Sequence, residues 1–135
     1  MNWKLIFSLS LFGLAMAFGT VYVIASNVEP IFWAAILLVC ALVIAKRAPR
    51  SYFLHGLMVG IVNSVWVTGT HVFLFARYVA GHHREAAMMA SMPLPTHPRV
   101  MMLIVGPVIG VISGAILGIL ALALSKLVTR RHAMA

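Results

Sequence analysis

Apolar residues occur along this chain in long blocks, without the short alternation that is typical of amphipathic strands. Four apolar runs cover residues 5–25, 28–45, 52–80 and 100–128, and short polar stretches separate them. A helix needs about 20 mostly apolar residues to cross the hydrocarbon core of a bilayer, and the runs approach or exceed that length. The pattern predicts an all-α integral membrane four-helix bundle that forms a single domain over residues 1–135.

The polar stretches between the runs contain ordinary signals for helix ends. Pro30 suits the first turn of the second helix, and the acidic Glu29 suits the positive end of its dipole. The basic stretch 46–50 ends that helix and contains a proline. The proline-rich stretch 81–99 is the one substantial loop that the pattern predicts.

Small residues recur at every fourth position in the third and fourth runs. They are Gly56, Gly60, Ser64 and Thr68 in the third run and Gly106, Gly110, Gly114 and Gly118 in the fourth. Residues four apart share one face of a helix, and small side chains there let membrane helices approach closely. We expect the two small faces to pack together and join the third and fourth helices. A homo-oligomer contact or a docking face for another membrane subunit is the alternative use.

The third run also contains polar residues that need partners inside a membrane. Asn63 lies near its middle, where no water is available, so we expect a hydrogen bond across to Ser113 on the fourth helix. His55 and His71 lie nearer to the two ends of the same run. We expect both imidazoles to reach the lipid headgroups, although ionisable residues in a membrane span are also candidates for function.

Composition supports the membrane interpretation. Of the 135 residues, 63% are hydrophobic and 9% are charged, whereas soluble domains average roughly 25% charged. The net charge of +8 comes from lysines and arginines at the ends of the runs. Because these residues form no continuous basic face, we do not expect nucleic-acid binding.

The same basic residues predict the orientation of the helices. On one side fall Lys4, Lys46, Arg47, Arg50, Lys126, Arg130 and Arg131, and on the other fall Arg77, Arg84 and Arg99. Loops rich in lysine and arginine stay in the cytoplasm, so both termini are expected there and the loop 81–99 outside. The pattern is similar to that of small four-helix proteins of the bacterial inner (plasma) membrane, which is the expected location.

The first run has a second interpretation. A basic start, an apolar core and the sequence Ala15-Met16-Ala17 also match a secretory signal peptide with its cleavage site. We favour a membrane helix because residues 18–25, beyond that site, remain strongly apolar.

The predicted outer loop and its flanks are rich in histidine and methionine. The candidate ligands are His82, His83, Met88, Met89, Met92 and His97. Imidazole and thioether groups bind copper, and thioethers favour Cu(I). Their spacing does not repeat, and methionine is a common gap filler in apolar proteins. Copper is therefore an open alternative, and no other cofactor is expected.

The sequence contains no recognisable enzyme motif. It lacks a phosphate-binding loop, a nucleophile elbow and a zinc-binding helix. The only acidic residues, Glu29 and Glu85, lie near the ends of runs, which argues against a proton-coupled exporter with a buried carboxylate.

We therefore predict a non-catalytic accessory or structural component of the lipid bilayer. It would form a homo-oligomer or dock to a larger membrane complex. The first alternative is a small transporter or channel, with a polar pathway along the third helix at Asn63, Ser64, Thr68 and His71. The second is an outward-facing copper-binding membrane protein.

Overall fold

The computed structural model describes the backbone of residues 1–133 and the side chains of residues 1–128, and this part of the chain is helical without strands. The helices are α1 (Trp3–Tyr22), α2 (Glu29–Arg47), α3 (Tyr52–Phe73), α4 (Phe75–Gly81), α5 (His83–Ala90) and α6 (Pro98–Ala133). Among them α1, α2, α3 and the Pro98–Val128 part of α6 are long and apolar enough to cross a membrane. The prediction of an all-α bundle with four spanning helices is confirmed.

Two of the basic residues that predict the orientation, Arg130 and Arg131, lie outside the described side chains. The structure therefore gives no account of their contacts. The orientation relative to a membrane stays a prediction, because it depends on the charges and not on the fold.

Local sequence explains where the first helices begin. The Asn2 side chain accepts a hydrogen bond from the backbone N–H of Leu5 at 3.1 Å, which satisfies one free donor in the first turn of α1. In α2, Glu29 and Pro30 occupy the first turn as expected. Ser51 precedes α3 with φ of 59°, which is unusual for a residue other than glycine and marks a sharp turn after α2.

Two predicted boundaries were wrong. The helix expected over 52–80 is divided at Leu74, where α3 ends and α4 begins. A spanning helix needs only about 20 residues, so the rest of this run is free to change direction. The loop expected over 81–99 contains a further helix, α5.

The two small faces pack against each other within one chain, with α3 and α6 antiparallel. The facing pairs are Gly56 with Gly118, Gly60 with Gly114, Ser64 with Gly110 and Thr68 with Gly106. A Cβ atom added to Gly114 would lie 2.6 Å from the backbone oxygen of Leu57, so even a methyl group does not fit. The contact is between backbones, as in other membrane helices with small residues at every fourth position.

A hydrophobic core fills the half of the bundle near the N-terminus, which we call the terminal half. Ile6 of α1, Ile44 of α2 and Val59 of α3 are fully buried there, and Leu117 of α6 closes the cluster. The first helix therefore contributes directly to the core of the fold. The opposite half, which contains α4 and α5, is called the α5 half.

His55 joins α1 to α3 in the terminal half. Its Nδ1 donates to the backbone oxygen of Ser51 at 3.0 Å, and its Nε2 accepts from the backbone N–H of Asn2 at 3.0 Å. The expectation that this imidazole reaches the headgroups was wrong, because His55 is 1% exposed. Its two backbone partners explain why a polar ring is buried at this position.

Candidate ligand cavity in the α5 half

A cavity of about 410 Å³ lies between α2, α3, α4, α5 and α6. All five helices supply wall residues, for example Trp33 from α2, Val67 from α3, Tyr78 from α4, Met88 from α5 and Met102 from α6. Pockets for small molecules in proteins typically measure about 300–1,000 Å³, so this space is large enough for a ligand.

The cavity is closed at the middle of the bundle. Cys40 and Leu117 line its inner end, and both also belong to the hydrophobic core of the terminal half. Each is only 1% exposed. The cavity is therefore confined to the α5 half and does not continue through the bundle.

The polar residues singled out on the third helix all line this cavity. They are Asn63, Ser64, Thr68 and His71. The Ser64 hydroxyl donates to the backbone oxygen of Ile61 at 2.8 Å, so its own helix satisfies it. This wall is therefore less polar toward the cavity than its sequence suggests.

Asn63 does not form the expected hydrogen bond with Ser113, and that prediction was wrong. The Ser113 hydroxyl donates to the backbone oxygen of Gly110 at 3.3 Å within its own helix. The Asn63 Oδ1 is buried without a hydrogen-bond partner among the described residues and lies against Gly13 of α1. Sequence spacing placed Asn63 on an interior face but did not show that α1 covers it.

Methionine side chains form the part of the cavity wall nearest the end of the α5 half. Met88, Met89 and Met92 of the predicted copper set are joined there by Met101 and Met102 from α6. Unbranched thioether side chains adapt to irregular shapes and are common at binding surfaces that accept different ligands. The sequence shows many methionines in this region, but the fold brings those of residues 88–92 and those of α6 onto one wall.

None of the histidines of the predicted copper set lines the cavity. His82 is buried, while His83 and His97 are exposed, and His97 Nδ1 lies 2.9 Å from the Thr96 hydroxyl. Within the part of the chain with described side chains, no three His, Cys, Asp or Glu residues are placed to hold a metal ion. Copper binding by the six residues stays a prediction.

Three aromatic rings stack beside the cavity, a feature that the sequence analysis missed. Tyr78 lies between His71 and His82, with ring centroids 4.1 Å and 4.5 Å apart and interplanar angles of 20° and 19°. His71 Nε2 also lies 2.9 Å from the Thr20 hydroxyl of α1. The expectation that His71 reaches the headgroups was wrong, because it is 7% exposed. The chain bends at Leu74, between these two residues, and the Tyr78 ring of α4 stacks on the His71 ring of α3.

The two acidic side chains of the chain both lie near Tyr78 of this stack. Glu29 Oε1 accepts a hydrogen bond from the Trp33 indole at 3.0 Å, and its Oε2 lies 3.9 Å from His82 Nε2. Glu85 Oε2 accepts from the Ser26 hydroxyl at 3.0 Å. Burial together with the charges of Glu29 and Glu85 raises the pKa of Tyr78 to about 12. The phenol is therefore harder to ionise than that of an exposed tyrosine.

The hydrogen bond between Thr20 and His71 should contribute to stability. Thr20→Val keeps the shape of the side chain but leaves the buried imidazole without this partner. We expect the free energy of unfolding in detergent micelles to fall by about 1 kcal/mol. Thr70→Val is the matched control, because the Thr70 hydroxyl makes no hydrogen bond within the described residues. Equal losses in the two variants would contradict a stabilising role for this bond.

Comparisons with protein-family models, with curated proteins and with solved structures give no match for this chain.

Proposed function

We propose that this protein is a non-catalytic membrane component that binds an apolar small molecule in the cavity of its α5 half. The observation that supports this most directly is the cavity itself, which has the volume of a ligand pocket in a chain of only 135 residues. The small-residue contact between α3 and α6 fixes the two longest walls, so the site is largely preformed.

The lining determines which molecules would bind. Aliphatic, aromatic and thioether side chains dominate it, and Ser64 is satisfied by its own helix. Burying apolar surface is favourable by about 25 cal/mol per Å², whereas a polar molecule would lose its hydration and regain few partners. A mainly apolar ligand is therefore the best match to the walls.

The methionine-rich helix α5 gives the site a movable cover. It has no buried residue, although Met88, Met89 and Met92 line the cavity. A helix that buries so little is held weakly and can shift when a ligand enters. This provides an entry route without opening the tightly packed contact between α3 and α6.

Binding can be tested with N-phenylnaphthylamine, an uncharged probe whose fluorescence rises in apolar surroundings. We expect protein in lipid nanodiscs to bind it saturably with one site per chain, in addition to the linear uptake that empty nanodiscs show. The probe should transfer energy from the indole of Trp33, which lines the cavity. Linear uptake identical to that of empty nanodiscs would contradict the proposal.

A small transporter is the second candidate. It is favoured by one observation, the position of all four residues of the predicted polar pathway on the cavity wall. Transport would require the core around Cys40 and Leu117 to open, since these residues close the cavity in the present conformation. Flux of a bound molecule across protein-containing vesicles would favour this function, and saturable binding without flux would favour the first.

Orientation and partners follow from charge and packing. We propose that the α5 half faces outward, because Lys4 and Lys46 lie at the opposite end of the bundle.

Large apolar side chains are exposed on the spanning helices, as expected for contact with lipid. The glycines of α3 and α6 are occupied within the chain, so a homo-oligomer or a larger membrane complex would have to use another face.

A further inference from the structure

One charged side chain lines the cavity. Apart from Glu85, its walls consist of uncharged residues and the imidazole of His71. Glu85 is half-buried, and its Oε2 accepts a hydrogen bond from Ser26 across the turn between α1 and α2. That bond fixes the carboxylate at the cavity and leaves the other oxygen available.

Among the described side chains, no cationic group pairs with the Glu85 carboxylate. The one contact there between a carboxylate and a nitrogen base joins Glu29 to His82 at 3.9 Å, and Glu85 takes no part in it. Two of the basic residues in this half are engaged elsewhere, since Arg77 lies over the Tyr22 ring and Arg99 over the Phe75 ring, each at 5.3 Å. A cationic group entering the cavity would be attracted by this carboxylate, and the attraction is stronger beside apolar walls than in open water.

An aromatic ring flanks the same end of the cavity. Trp33 lines it, and the face of an indole attracts cations, whereas both faces of the Tyr78 ring are covered by His71 and His82. Glu29 accepts a hydrogen bond from the Trp33 indole. His82 Nε2, buried and without a hydrogen-bond partner among the described residues, lies 3.9 Å from that carboxylate. The two acidic residues of a strongly basic chain thus both lie near Tyr78, which lines this end of the cavity.

We infer that the ligand is an amphipathic cation, whose apolar body fills the cavity and whose positive group lies between the Glu85 carboxylate and the Trp33 ring. This inference rests on the proposed function and specifies the class of ligand. A quaternary ammonium or phosphonium ion with large apolar substituents has this chemistry. An anion of the same shape would meet the Glu85 charge in poorly hydrated surroundings and would be rejected.

Two lipophilic ions of nearly equal size and opposite charge provide the test, with N-phenylnaphthylamine as the bound reporter. We expect tetraphenylphosphonium to displace the reporter from the wild-type protein at lower concentrations than tetraphenylborate. Glu85→Gln keeps the acceptor for Ser26 but removes the charge. It should reduce the preference for tetraphenylphosphonium over the uncharged reporter by about tenfold.

Arg84→Gln is the control, because Arg84 is exposed, adjacent to Glu85 and not part of the cavity wall. If surface charge alone determined cation binding, Arg84→Gln would strengthen the binding of tetraphenylphosphonium by as much as Glu85→Gln weakens it. Provided that the reporter binds, that result would overturn the inference. An unchanged preference for tetraphenylphosphonium in Glu85→Gln would overturn it as well. Failure of the reporter to bind the wild-type protein would instead contradict the proposed function.

Discussion

Replacing Gly60 with alanine is expected to lower the free energy of unfolding by about 1–3 kcal/mol. Gly60 lies in the contact between α3 and α6, where a new Cβ atom would be 2.6 Å from the backbone oxygen of Gly110 and still closer to Gly114. Backbone atoms of a neighbouring helix cannot move aside as a flexible side chain can, so the two helices must separate. Because these helices also form cavity walls, ligand affinity should fall as well.

Gly69→Ala is a matched control for this substitution. Gly69 belongs to the same helix, is exposed, and has nothing within 4 Å of its added Cβ atom. Alanine favours helix formation over glycine by about 0.8–1 kcal/mol, so this variant should be neutral or more stable. Denaturation of both variants in mixed micelles, followed by circular dichroism, measures the difference. If Gly60→Ala is as stable as Gly69→Ala, α3 and α6 do not pack as described.

Replacing Val67 with tryptophan should abolish most ligand binding. Val67 lines the cavity from α3, and an indole added there would occupy a large part of the 410 Å³ space. We expect the affinity for N-phenylnaphthylamine to fall at least about tenfold, which corresponds to about 1.4 kcal/mol. Fluorescence titration in nanodiscs measures the affinity, and thermal unfolding shows whether the variant is folded.

Val65→Trp tests whether position or merely bulk causes the loss. Val65 lies two residues earlier on the same helix, is 64% exposed, and is not part of the cavity wall. The tryptophan there would face the surroundings of the bundle, so affinity should stay within about twofold of the wild-type value. Similar losses in the two variants would show that the probe binds outside the cavity.

The architecture could be predicted from the sequence because a bilayer imposes simple rules on length and composition. A spanning helix must be about 20 apolar residues long, and small residues at every fourth position permit close contact. The small faces that α3 and α6 bring together were predicted from that spacing, whereas the register, from Gly56 with Gly118 to Thr68 with Gly106, comes from the structure. The bend at Leu74 could not be predicted, because no proline or glycine marks it.

The site was only partly visible in the sequence, since its members come from distant segments. The density of methionines near Met88 is visible in the sequence and left copper binding as one alternative, but the wall that they share with Met101 and Met102 is visible only in the structure. Tyr78 was missed because a single tyrosine near a helix end usually anchors at the membrane surface. Hydropathy gives the depth of a residue in the bilayer, but it does not give the direction in which the side chain points.

The most direct test of the ligand cavity is methyl NMR of the nine methionines, labelled at the ε-carbon, during titration with N-phenylnaphthylamine. Met88, Met89, Met92, Met101 and Met102 line the cavity. Met16 is buried in α1 away from it, and Met1 is exposed at the N-terminus. The account predicts saturable shifts of the five cavity methyl groups, with Met16 and Met1 unchanged. Shifts that are equal across all methyl groups, or largest at Met1, would contradict it.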